Sequence, residues 1–385
     1  MNRSERNIFS RLNLGEFLSF LVVGLPLPVI PLYVHDTLGY GTVVVGACVG
    51  AHFLATVLFR ARAGRLADIR GARHTVHTGF LLIACSGLPY IAVAWGLCPE
   101  FLKLPLIFLS RFCLGIGHSM VGTGSITWGI GLLGPPHAAA VVAWSGVAMY
   151  AGIGFGSPVG LLLWNAGGIL FLGLACCLLP LLAAFFVRPM GETPVLRQAE
   201  GTTTAGILAQ VLRPGICLAL NGVGNAVIGA FISLYFASMD WNHAAFALSC
   251  FGFSFVVGRI VCGGFQSAKG ERKAAVSALT LEVAGLTMIA ALPFPAASFI
   301  GVSLTGFGCS LVFPALAVAL LRKLPNEVRG TALGCFTAFQ DIAYAATGPL
   351  TGLLVPGFGY ASVFYAAAAC AALGLVMVLL RFEGR

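Results

Sequence analysis

The sequence predicts an all-α integral membrane protein of twelve transmembrane helices arranged as two parallel six-helix repeats. Three observations carry that prediction. Hydrophobic residues make up 58% of the 385 and charged residues only 9%, with a mean hydropathy of +0.95; soluble domains are roughly one-quarter charged. Apolar runs long enough to cross about 30 Å of hydrocarbon, which takes about 20 helical residues each, occur twelve times. The bases follow those runs: with a cytoplasmic N-terminus, 20 of the 22 Lys and Arg fall in tails, cytoplasmic loops or cytoplasmic helix ends, as the positive-inside rule requires.

Taken in order, the first run covers 14–34 and follows 13 residues that are rich in bases. It is longer than a signal-peptide core and no small-residue cleavage site follows, so it reads as an uncleaved span. Runs at 42–62, 76–96, 105–127, 138–163 and 168–187 complete a first half. The longest polar interval comes next, and then runs at 214–237, 243–266, 274–294, 298–320, 330–354 and 360–381. All are long, continuous and rich in Gly and Ala, unlike the alternating ten-residue strands of a membrane barrel. Helices therefore satisfy the backbone in lipid. The expected domains are a six-helix bundle at 1–190, a cytoplasmic linker at 191–213 and a second bundle at 214–385.

The second half repeats the first. A shift of 199 residues carries Arg60, Gly64, Gly71 and Arg73 onto Arg259, Gly263, Gly270 and Arg272. A shift of 191 pairs Gly115 and Gly117 with Gly306 and Gly308, and Pro158 with Pro349. Two halves in the same order, both starting inside, are parallel repeats about an axis along the membrane normal, an arrangement suited to rocking.

Composition excludes other classes. The net charge of +9 is distributed by topology, which argues against nucleic acid as a partner. The twelve Cys lie almost entirely in apolar spans with no C-x-x-C pair, so neither a disulfide framework nor a metal site is implied. Glycine strings such as "GIGHSMVGTGS" and "GIGFGSPVG" lack a dinucleotide or Walker pattern and read as helix-packing surfaces. A membrane-embedded enzyme would need a nucleophile or metal constellation, and neither H-E-x-x-H nor G-x-S-x-G occurs.

The loop between spans two and three, "GRLADIRGARH", resembles the signature of the major facilitator superfamily through Gly64, Leu66, Asp68, Gly71 and Arg73. "LSRFCLGIG" resembles that family's fourth-span motif through Arg111, Gly115 and Gly117. Stretches such as "GLPLPVIPLYVHD", "GTGSITWG" and "SLVFPALAV" further resemble the bacterial YhhS/YfcJ-type branch of small permeases. The resemblance implies that spans one, four, seven and ten line a central cavity. It also implies a bacterial inner-membrane monomer with both termini cytoplasmic, and partners that are a small-molecule substrate, protons and the bilayer. No cofactor is expected beyond the proton gradient as energy source.

Titratable groups in hydrocarbon are costly, and each needs a partner, water or a function. Counting about 1.5 Å per helical residue, Asp341 lies roughly 16 Å into span eleven and His52 roughly 15 Å into span two. Asp341 is the first candidate for proton coupling, with a structural acid as the alternative. His52 and His118 could relay protons or could be packing residues. Arg111, about 9 Å below the outer surface, needs an acid, an anion or carbonyls, and Asp36 is the expected partner; the resemblance implies a part in proton coupling for this pair, with a structural anchor as the alternative. Glu282 falls on a peripheral span, where local support is expected, and Glu16 sits at the cytoplasmic rim, where solvation would suffice.

The expected substrate cavity gathers Asn221, Asn225, Gln340, Tyr344, Trp128, Trp144, Tyr150 and Tyr235. Gly64, Asp68, Gly71, Arg73 and Arg329 form the expected conformational latch, with Asp68 facing the helix start at Arg329 and Gly330. Gly156 with Pro158, and Gly348 with Pro349, are the expected helix bends; Ser157 interrupts the family's span-five Gly-Pro step as "GSP". The expected function is a proton-coupled transporter of a small organic solute, a drug, metabolite or sugar-like molecule, exported by antiport. Uptake by symport is the alternative, and a transporter-like sensor a further one.

Overall fold

The computed structural model describes residues 2–95, 98–193, 204–262, 270–322 and 329–381, and among them regular structure is helical throughout. Nine helices among these residues are long and apolar enough to cross a membrane. The helix Ala138–Val187 makes two passes, because Gly167 and Gly168 break its helical backbone and Gly168 takes a positive φ of 61°. The first span is Arg3–Gly24, extended past Pro26 and Pro28 by Ile30–Leu32 and a π-helical turn at Tyr33–Thr37. Span eleven, Arg329–Gly352, carries Gln340 and Asp341 in its middle, which lowers its apolar character. These additions complete the twelve spans.

Contacts divide the chain into two units. The first comprises Met1–Leu38 and Ala51–Gln198, the second Gly39–Gly50 and Ala199–Arg385. In the first, span one lies against span five through glycines: added Cβ atoms at Gly152 and Gly156 would strike the backbone at Phe17 and Leu21. Close approach of this kind lets dispersion and backbone contact hold helices together where lipid is as apolar as the side chains. In the second, Val211, Leu218, Leu279, Val312 and Phe336 form a buried core between spans seven, nine, ten and eleven. Gly348 lies against the Gly46 backbone, both within that unit, and Pro349 sits inside its helix.

The internal repeat has a backbone counterpart. Gly71 and Gly270, matched by the shift of 199, start the third and ninth spans with φ, ψ of 89°, 150° and 80°, 146°. L-residues other than glycine avoid that region. Gly115 packs on the carbonyl of His52, and Gly306, 191 residues on, packs on the carbonyl of Phe251, which lies 199 residues after His52. Gly117 meets Gly79 and Ile83, as Gly308 meets Ala278 and Glu282.

These two sites share a sensitivity. Gly115→Ala and Gly306→Ala each drive a methyl into a neighbouring backbone, and a cost of about 1–3 kcal/mol is expected from overpacking. Gly122→Ala, facing open space, serves as the control. Thermal unfolding in detergent should show lowered midpoints for the first two and none for the third.

Candidate functional site

In the second unit, Tyr344 is the centre of a polar network. Its hydroxyl accepts from Asn225 Nδ2 at 2.7 Å and from Gln340 Nε2 at 2.8 Å. Gln340 and Tyr344 are one turn apart on span eleven, so the helix itself sets that pair. Asn225 comes from the facing span, Thr204–Ser238, and Gly222 on the same span leaves room for the tyrosine ring. Asp341, beside Gln340, is 8% exposed. A hydroxyl, two carboxamides and a carboxyl can together donate to and accept from a polar solute. Asn221, one turn before Asn225, is turned elsewhere: its Nδ2 donates to Glu282 Oε2 at 2.5 Å.

In the first unit, His52 Nε2 and His118 Nδ1 stand 3.0 Å apart, with their rings stacked at 5.0 Å. Phe20 sets its edge on His118 at 4.4 Å. Such a pair shares one N–H between two nitrogens, and which ring carries the proton follows from their other contacts. The glycine at Gly115 makes the approach, since it brings span four onto the His52 carbonyl three residues before His118. Arg111 is buried on the same span. Its expected partner is engaged elsewhere: Asp36 is 59% exposed and accepts from the adjacent His35 at 2.8 Å, because the π-helical turn holds both at the surface.

Of the aromatic candidates, Tyr235 belongs to the second unit and Trp128, Trp144 and Tyr150 to the first. Tyr235 is buried and donates to the Ile289 carbonyl at 3.2 Å, with Trp241 and Phe364 against its ring. Trp128 is buried and donates to the Gly191 carbonyl at 2.8 Å. Trp144 is half exposed, edge-on to Phe9, and Tyr150 is buried. Among the latch residues, Arg73 donates to Glu192 Oε1 and to the Arg188 carbonyl, both at 3.1 Å, and so ties the third span to the chain after span six. Asp68 and Gly64 lie near the end of the helix Thr42–Arg70, and Gly71 follows as the turn. The side chain of Arg329 lies outside the described residues, as do Ser267, residues 194–203 and Gly263. Gly156 abuts Leu21, and Ser157 before Pro158 donates to the Ile153 carbonyl at 3.2 Å.

Of two buried acids, Glu16 departs from the expectation of a solvated rim and Glu282 keeps to that of local support. Glu16 is 1% exposed and accepts from Ser145 Oγ at 2.9 Å, so it is packed between spans one and five rather than solvated. Glu282 is fully buried against Asn221. The shift of 191 places Cys309, which lies 3.5 Å from Asn221 Nδ2, where the first half has His118.

The Major Facilitator Superfamily model matches residues 12–263 and again 214–385. An uncharacterised MFS-type transporter of Salmonella typhimurium is 40% identical, covering 96% of this chain and 95% of its own length. One of Burkholderia mallei is 37% identical over 95% of this chain and 90% of its own. Among solved structures, the nucleoside transporter NupG superposes with a TM-score of 0.73 at 15% identity, over 98% of this chain and 100% of that one. A D-xylose-proton symporter gives 0.76 at 16%, over 97% and 96%. At such identities the likeness is one of fold.

The Tyr344 network has a measurable strength. Tyr344→Phe leaves two amide donors without their shared acceptor, and a loss of about 1–3 kcal/mol is expected. Thermal unfolding in detergent should show it, with Gln340→Ala in the Tyr344→Phe background adding less than it does alone.

Proposed function

Because the chain belongs to the Major Facilitator Superfamily, we propose that this multi-pass membrane transporter is a proton-coupled antiporter exporting a small organic solute by alternating access. The observation that carries the reading is the second-unit network: a buried carboxyl, Asp341, stands beside the Gln340, Tyr344 and Asn225 hydrogen-bonding set. A carboxyl that is shielded in one state and wet in another binds and releases a proton as access alternates. A solute engaging the adjacent amides and hydroxyl is then linked to that proton. The histidine pair of the first unit offers a second set of exchangeable protons.

Energy comes from the proton gradient, since no nucleotide-binding signature is present in the sequence. Export is supported by the resemblance to the small-permease branch and by the span-five Gly156, Ser157, Pro158 step, which approximates the family's antiporter motif. Asp68 is assigned a conformational rather than a substrate role, because it lies at a helix end among Arg65, Arg70 and Arg73. The working form is a monomer in a bacterial inner membrane, with both termini cytoplasmic.

A thermal-shift screen of the purified protein with uridine, D-xylose, benzoate and tetraphenylphosphonium at two pH values should find a stabilising class. In inside-out vesicles loaded with a pH dye, the stabilising solute should release lumenal protons. Co-uptake of proton and solute in right-side-out vesicles would instead establish symport. Asp341→Asn should retain the thermal shift and lose proton-driven flux at least tenfold; undiminished flux would remove Asp341 from coupling.

A further inference from the structure

Glu282 lies in the middle of the ninth-span helix, Glu271–Ala291, with none of its surface exposed. Its Oε2 accepts from Asn221 at 2.5 Å. Its Oε1 has no hydrogen-bond partner and points at Gly224 of span seven, where an added Cβ would stand 2.5 Å from it. Among the described residues, the titratable groups close enough to feel its charge are thiols: Cys217 from span seven, Cys309 from span ten and Cys370 from span twelve. Among the described residues no cation acts on it. A carboxylate there, with the Asn221 amide and the Cys309 thiol as its support, loses more in hydration than those two contacts return. Holding a proton removes that cost.

Packing does not demand an acid at this place. The equivalent residue of the first half is Ile83, which meets Gly117 as Glu282 meets Gly308. What the acid adds is a link. Asn221, which holds it, stands one turn from Asn225, which holds Tyr344. Movement of that single turn of span seven changes the support of the acid and the shape of the solute network together.

We propose that Glu282 is a further proton-binding site of the transport cycle, exchanging its proton as the span-seven turn bearing Asn221 and Asn225 moves. In that step the carboxyl O–H bond breaks, the electron pair stays on the carboxylate and water takes the proton. The proposal rests on the proton-coupled reading above, but its spectroscopic test needs no substrate.

Infrared spectra of the full-length purified protein should show a protonated-carboxyl C=O component at neutral pH that is lost in Glu282→Gln and kept in Asp341→Asn and Glu16→Gln. Raising the pH should bleach that band reversibly in the wild type. Gly224→Ala, which presses on Oε1, should shift its frequency without removing it. A carboxylate signature at neutral pH would overturn the proposal, as would a band that resists alkali until the protein unfolds. Flux in vesicles separates the two readings. If Asp341→Asn abolishes it and Glu282→Gln does not, the transporter reading stands and Glu282 leaves the cycle; if no proton moves in wild type, the coupled reading itself fails.

Discussion

Backbone approach at glycine is the interaction on which the polar sites depend. In hydrocarbon, apolar side chains gain little by meeting one another, so helices associate where small residues let main chains touch. Gly115 on the His52 carbonyl is such a contact, and it brings His118 within 3.0 Å of His52. Gly308, against Ala278 and Glu282, does the same for the second half by setting spans nine and ten close enough for Cys309 and Glu282 to share Asn221. The polar chemistry is laid over a scaffold of backbone contacts that polar groups did not create.

That scaffold is duplicated while the chemistry is not. Matched glycines keep matched neighbours in both halves, down to the positive φ at Gly71 and Gly270. At the matched polar positions the residues diverge: His52 against Phe251, His118 against Cys309, Ile83 against Glu282. One half holds an imidazole pair and the other an acid with an amide. Repeats constrained by packing are free to differ wherever a side chain fills similar volume, and here the difference is in what can carry a proton.

The charged loop between spans two and three also divides its work. Arg73 reaches the Arg188 carbonyl and Glu192, so a base conspicuous in the sequence serves to hold the segment after span six. Both ends of that contact are at least one-third exposed, where an ion pair contributes little energy. Its value is positional. Trp128, which donates to the Gly191 carbonyl, anchors the same segment from span four.

Hydropathy, the distribution of bases and the repeat determined the membrane class, the span count and the pairing of the two halves, because crossing lipid imposes a composition that any apolar run reveals. Gln340 with Tyr344 was legible too, since helical periodicity alone places residues four apart on one face. Which spans face which groups was decided only by tertiary contact. Asn221 and Asn225 share a face in sequence, yet one serves Glu282 and the other Tyr344. Asp36 stayed with His35 because a π-helical turn followed the proline-rich end of span one. Glu16 was buried by its meeting with Ser145, 129 residues away. Local rules reach about one helical turn; the partner of a buried charge is chosen by whichever helix the glycines allow to come near.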